Sequence, residues 1–204
     1  MFDRLTLRLL RKPLDRGAVL LKAAGYRPDQ VTVASFCIGL FAVIVLYLQL
    51  YWLALLVIVL NRLGDGLDGA LARITEVSDG GGYLDIVLDF IFYSAVVLGF
   101  ALADPLENAL PAAVLLFTFT GTGGSFLAFA VMAERQGLQS EVYPAKGMYY
   151  LTGLAEGTET ILFFCLFCIF PEYFPELAYC FAALCLITVT SRVITGYTTL
   201  REGQ

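Results

Sequence analysis

The stretch Asn61-Arg62-Leu63-Gly64-Asp65-Gly66-Leu67-Asp68-Gly69-Ala70-Leu71-Ala72-Arg73, followed by Gly80-Gly81-Gly82-Tyr83-Leu84-Asp85-Ile86-Val87-Leu88-Asp89, places four aspartates in a chain that is otherwise strongly apolar. Hydrophobic residues make up 59% of the 204 residues and charged residues 15%, and the mean hydropathy is +0.78. That composition excludes an ordinary soluble domain and predicts an all-α polytopic membrane protein. Carboxylates within membrane helices are costly, so they require a functional reason. On helices, Asp65 and Asp68 are three residues apart and Asp85 and Asp89 four apart, so each pair shares one face. Thr75, Ser78, Asp79 and the glycines supply turn chemistry between the two helices. With the turn centred near Val77, Asp65 and Asp89 each lie 12 residues from the centre, and Asp68 and Asp85 lie 9 and 8 away. At about 1.5 Å of rise per residue, the two pairs face each other at matching depth.

Like charges gathered in a low-dielectric site raise one another's cost, so a cation is implied. All-oxygen donors suit Mg²⁺ or Mn²⁺, and four negative charges balance two such ions. Two metals are a recurring device for in-line displacement at phosphorus. A proton or sodium site is the competing reading, but it leaves Arg73 and the glycine spacing without a role. Gly64, Gly66 and Gly69 strip side chains from one helix face, Ala72 lies on the face of Asp65, and Arg73 stands where it meets a diphosphate.

The chain around this stretch divides into six apolar segments, near residues 30–50, 52–76, 80–103, 109–133, 145–170 and 176–199. Residues 1–28 carry seven of the 13 basic residues among leucines, the pattern of an amphipathic helix lying on an anionic leaflet. The connections holding Asp104 and Glu107, and Glu172 and Glu176, contain no lysine or arginine, whereas Arg135, Lys146 and Arg201 lie on the opposite side. The positive-inside rule then predicts six spans with both termini cytoplasmic. No removable signal peptide is expected, and no linker or internal repeat divides the chain, so residues 1–204 read as a single domain with its bundle over 30–199.

Histidine is absent, which leaves acid–base chemistry to carboxylates, lysine or tyrosine. Cys165 and Cys168 have a redox-like spacing but sit in an apolar run, where they act as small apolar side chains. Glu156-Gly157-Thr158-Glu159-Thr160 places carboxylates and hydroxyls inside the fifth segment, which suggests recognition of an acceptor's hydroxyls. Lys146 and Arg192 are candidates for an acceptor phosphate, with snorkelling to lipid head groups as the alternative for each. Gly121-Thr122-Gly123-Gly124-Ser125 reads as close helix packing or a dimer contact.

Asp65-x-x-Asp68-Gly69-x-x-Ala72-Arg73, seven residues, then Gly81-x-x-x-Asp85-x-x-x-Asp89 resembles the complete motif of the CDP-alcohol phosphotransferase family, and the whole chain looks close to bacterial inner-membrane members of it. The resemblance implies a six-helix membrane enzyme, usually a homodimer, with a cytoplasmic surface helix. It implies that Asp65, Asp68, Asp85 and Asp89 bind two divalent cations and that Asp89 is also general base for the acceptor hydroxyl. Gly69, Ala72, Arg73, Ser78 and Gly81 would lie against the CDP part, and Pro28-Asp29-Gln30-Val31-Thr32 resembles the segment that closes over cytidine. N-capping of a helix is the competing role for Asp29. The expected reaction gives CMP and a phosphodiester in phospholipid synthesis, with CDP-diacylglycerol as first-choice donor and no nucleic-acid partner. A soluble CDP-alcohol passed to a lipid, an ion-coupled transporter, and a catalytically silent scaffold are the alternatives.

Overall fold

The computed structural model describes residues 3–137 and 153–202. Among them there is no strand, and seven α-helices account for nearly all of the chain: α1 Asp3–Ala23, α2 Pro28–Tyr47, α3 Tyr51–Ile74, α4 Asp79–Ala103, α5 Pro105–Arg135, α6 Gly157–Ile169 and α7 Phe174–Glu202. Local chemistry sets their ends. Pro28 begins α2 at a position where its missing N–H costs nothing, and the Gln30 Oε1 accepts from the Arg27 N–H at 3.0 Å. The Ser78 hydroxyl caps α4 by accepting from the Gly81 N–H at 3.0 Å. Asp104 caps α5 by accepting from the Leu106 and Glu107 amides.

Four segments are long and apolar enough to cross a bilayer: α2, α4, α5 and Pro171–Arg201, which contains α7. The 24-residue α3 has the length, but Arg62, Asp65, Asp68 and Arg73 interrupt its apolar character. The fifth expected span, 145–170, differs from the structure. Residues 145–152 of it lie outside the described residues, and the described helix begins at Gly157 and runs 13 residues, shorter by itself than the roughly 20 a spanning helix needs. The reason is local: Gly153–Glu156 is non-helical, and Glu156 serves as N-cap, with the Glu159 carboxylate accepting from its N–H at 3.3 Å. Glu156-Gly157-Thr158-Glu159-Thr160 is therefore a helix start, not the interior of a span.

Between helices in lipid the hydrophobic effect is weak, and close packing does most of the work. Small residues let α2 and α3 approach: a Cβ on Gly64 would overlap the Ser35 side chain, and one on Gly39 would lie 2.7 Å from both Asn61 Nδ2 and a Phe92 ring carbon. Asn61 Nδ2 donates to the Ser35 carbonyl at 2.8 Å across the same contact. Toward the other end, aromatic rings knit α4, α6 and α7 together, with Phe100 stacked on Phe174 at 4.8 Å and Phe163 on Phe181 at 4.4 Å. The helix α1 lies against α3: Ala18 is buried beside Ala70 and Leu71, and Lys22 Nζ donates to the Ile74 carbonyl at 2.7 Å. Leu20 remains 72% exposed, consistent with an apolar edge turned to lipid.

Candidate active site

The α3–α4 turn, residues 75–78, brings the two acidic stripes together as their spacing predicts. One carboxylate oxygen from each of Asp65, Asp68 and Asp85 lies within 4.8 Å of the others, a set able to hold a metal ion. Asp68 is 5% exposed, and its Oδ2 is buried without a hydrogen-bond partner. A buried anionic oxygen left unpaired by protein groups fits a cation ligand.

Asp89 stands apart from that set. Its Oδ1 accepts from Arg62 Nη2 at 2.7 Å and its Oδ2 from the Tyr93 hydroxyl at 3.2 Å. Arg62 also lies near Asp65, with Nη1 3.6 Å from Oδ2. The matched depths of Asp65 and Asp89 are thus realised with a guanidinium between them. Sequence reasoning passed over Arg62 and Tyr93, although a signal existed for the first: an arginine three residues before Asp65 in a membrane helix needs a partner as much as the aspartates do.

A cleft of about 140 Å³ opens beside the carboxylates, with Asp68 and Asp85 at its inner end. Seven of the ten residues expected at the donor line it: Pro28, Asp29 and Thr32 from α2, Gly69 and Ala72 from α3, and Ser78 and Gly81 at the start of α4. Asp29 is the second residue of α2, while Arg27 holds the N-cap position, so the Asp29 carboxylate is turned to the cleft and not to capping. Three expected residues do not line it. Gln30 is used in the α2 start, Val31 packs toward Ala18, Ala70 and Leu71, and Arg73 is half-exposed at the rim with Nη2 3.7 Å from an Asp15 carboxylate oxygen of α1. Glu76, Val77 and Gly82 line the cleft without having been expected.

Glycine is required at one wall. A Cβ on Gly81 would stand 3.0 Å from Asp29 Oδ1 and 3.1 Å from the Ser78 hydroxyl oxygen. Gly81→Val should therefore crowd the cleft and raise the KM for the nucleotide donor by about tenfold or more, since overpacking a fitted site costs about 1–3 kcal/mol. Steady-state kinetics with varied donor, beside unchanged thermal unfolding in detergent, checks it; an unaltered KM would remove Gly81 from the donor wall.

A second, larger cavity of about 420 Å³ lies between α4, α5, α7 and the start of α6. Two residues expected at an acceptor, Glu156 and Arg192, line it. Arg192 is 7% exposed, donates to the Thr122 carbonyl at 3.2 Å, and has a buried Nε without a partner. It is a buried cation and not a snorkelling one. Glu159 lies off the cavity wall and serves the α6 cap, and Lys146 falls outside the described residues. Gly123 and Gly124 belong to this wall too. Tyr93 joins the two regions: its ring lines the large cavity while its hydroxyl holds Asp89.

Residues 26–192 match the model of the CDP-alcohol phosphatidyltransferases, a span containing the whole acidic site. The chain belongs to the CDP-alcohol phosphatidyltransferase family. It is 52% identical over 194 residues to Escherichia coli inner membrane protein YnjF, covering 95% of this chain and 94% of that one. An archaetidylinositol phosphate synthase from Pyrococcus horikoshii is 38% identical over 94 residues, 46% of this chain and 50% of its own. Among solved structures, Mycobacterium tuberculosis phosphatidylinositol phosphate synthase with CDP-DAG bound superposes with a TM-score of 0.68 at 20% identity, covering 91% of this chain and 94% of that one. The same protein in complex with manganese and citrate gives 0.69 at 21% identity, with 91% and 89% covered. At those identities the likeness establishes the fold. The chain is an integral membrane protein of this transferase family.

Proposed function

We propose that the chain transfers the phosphatidyl group of CDP-diacylglycerol to the hydroxyl of a polyol or polyol phosphate, releasing CMP. The observation that carries this reading is the convergence of Asp65, Asp68 and Asp85 into one set able to hold a metal ion, with Asp68 and Asp85 also lining a cleft walled by Pro28, Asp29, Thr32, Gly69 and Gly81. The cleft suits a nucleotide, and the carboxylates suit Mg²⁺ or Mn²⁺ next to its diphosphate. When bound, divalent cations, two by charge balance and with Asp89 as the fourth family ligand, neutralise charge on the phosphoryl oxygens. Solved relatives described as holding CDP-DAG and manganese support both assignments.

The residues divide the remaining work. Thr32 and Gly69 form the cleft beside Asp68, and Arg73 turns from Asp15 to the donor diphosphate. The acceptor sits in the cavity lined by Glu156 and Arg192, with its hydroxyl directed past Tyr93. Asp89 takes the hydroxyl proton as the new O–P bond forms at the phosphorus distal to cytidine. The bond from that phosphorus to the bridging oxygen breaks, and CMP leaves with the electron pair. Positioning supplies much of the rate, because a carboxylate is a weak base for an alcohol.

In the membrane, the whole chain acts as one domain. Six crossings place both termini and the cleft on the cytoplasmic side of a bacterial inner membrane, and two copies associate. The charge pattern of the loops and the likeness to an inner membrane protein support this placement. The deciding experiment incubates purified protein with CDP-diacylglycerol, Mg²⁺ or Mn²⁺, and a panel of polyols and polyol phosphates. Metal-dependent CMP release with one of them is the expected result. Release only from soluble CDP-alcohols with a lipid acceptor reverses the direction of transfer, and no release with any pair sinks the enzymatic reading.

A further inference from the structure

Arg62 is the most firmly held charge in the described bundle. Its side chain is 16% exposed, largely enclosed by the protein. Nε donates to Asn61 Oδ1 at 2.8 Å, and Nη1 donates to the Tyr93 hydroxyl at 3.2 Å. The guanidinium carbon stands 4.7 Å from the Phe92 ring centre and 5.3 Å from that of Tyr93. None of these anchors is a carboxylate, and Asn61 is itself tied to α2 through the Ser35 carbonyl. The cation is thus placed by the α2–α3–α4 packing and then meets Asp89 at 2.7 Å. A buried arginine gripped at several points by planar partners has a defined orientation, which a lysine would lack.

We propose that Arg62 is the positioning residue of the acidic centre: a built-in counter-cation that, together with the Tyr93 hydroxyl, fixes the orientation of the Asp89 carboxylate beside Asp65 and Asp85. The inference rests on the reading of Asp89 as the base. Asp65, Asp85 and Asp89 line one small cavity together with Arg62, so the guanidinium acts inside the acidic centre. With Oδ1 on the guanidinium and Oδ2 on the Tyr93 hydroxyl, the Asp89 carboxylate is fixed in rotation. The positive charge near Asp65 also moderates the field felt by a divalent ion, so Arg62 weakens metal binding while favouring catalysis.

Those two effects have opposite signs, which separates them from a merely structural role. Arg62→Met should lower kcat by about 100-fold and leave the donor KM within about threefold, because an interaction that positions the base is missing in the transition state and not in donor binding. Titration with Mn²⁺ alone, followed by electron paramagnetic resonance without substrates, should show binding tightened by about tenfold in the same variant. Arg62→Lys keeps the charge without the fork, and should lower kcat by about tenfold or more with Mn²⁺ affinity unchanged. If Arg62→Met does not fold, that pair of measurements on Arg62→Lys decides. Unchanged or weaker Mn²⁺ binding in Arg62→Met, or a kcat near wild type in either variant, overturns the proposal. Because the Mn²⁺ titration needs no turnover, it reads Arg62 even if no acceptor supports CMP release, and failure of the transferase reading remains distinguishable.

Discussion

Asp89→Asn should reduce CMP release by at least about 10³-fold while leaving the protein inserted and folded, since removal of a general base typically costs 10²–10⁴ in rate. The substitution changes one oxygen to an amide nitrogen and keeps the shape of the side chain. The asparagine oxygen can still accept from Arg62 Nη2, now 2.7 Å from Asp89 Oδ1, and its NH₂ can donate to the Tyr93 hydroxyl oxygen. Packing around Phe92 and Tyr93 is therefore conserved, and what disappears is the ability to take a proton. Asp65, Asp68 and Asp85 can hold a metal ion by themselves and the asparagine keeps an oxygen donor at position 89, so Mn²⁺ affinity should fall far less than activity. Single-turnover CMP release, run beside Mn²⁺ titration and thermal unfolding in detergent, measures all three quantities. Turnover near wild type would strip Asp89 of the base role, and a parallel collapse of Mn²⁺ binding would make it chiefly a ligand.

Asp68→Asn should have a comparably large effect through another route. Its Oδ2 is buried without a protein donor, so a cation is the natural partner for its charge. Loss of that charged donor should weaken Mn²⁺ binding by about 100-fold and lower CMP release by about 10³-fold at fixed metal concentration. Stability without metal should move the opposite way. An uncompensated carboxylate in this setting is destabilising, so the metal-free variant should unfold at a temperature equal to or above that of the metal-free wild type. Chelated samples of both proteins, scanned in the same detergent, provide the comparison. Lower stability of the chelated variant would mean that the Asp68 charge is satisfied within the protein and that its role is structural. The sign difference between metal-loaded activity and metal-free stability is the mark of a ligand.

The same physics explains which features could be read from residues alone. Spacing along one helix determines which side chains share a face, because the 3.6-residue period is a property of the backbone. Asp65 with Asp68, Asp85 with Asp89, and their meeting across the turn at residues 75–78 follow from that period, and the three-carboxylate set is the result. The start of α2 was legible from the motif's family resemblance instead: Pro28 and Asp29, its first two residues, both line the cleft.

Contacts between helices depend on rotation and distance, which no local period encodes. Four aspartates at matched depth suggested one cluster, but the guanidinium of Arg62 enters between Asp65 and Asp89 and divides it. Arg73 follows the motif, while its partner in this structure is Asp15, 58 positions earlier in the chain. Glu156 and Glu159 looked like polar groups inside a span because their flanks are apolar. The break at Gly153–Glu156 turns them into a helix start, and only then does Glu156 reach a cavity shared with Arg192.

By itself, the sequence determined that this is a membrane protein with two acidic helix faces joined by a short turn, because composition and backbone period are local quantities; the transferase reading came from the motif's family resemblance. Only the tertiary structure decided that three of the aspartates gather into one set able to hold a metal ion while the fourth is held by Arg62 and Tyr93. That division comes from the close approach of α2, α3 and α4 at Gly39, Gly64 and Asn61, where steric fit sets the rotation of each helix and hence the direction of every charge it carries.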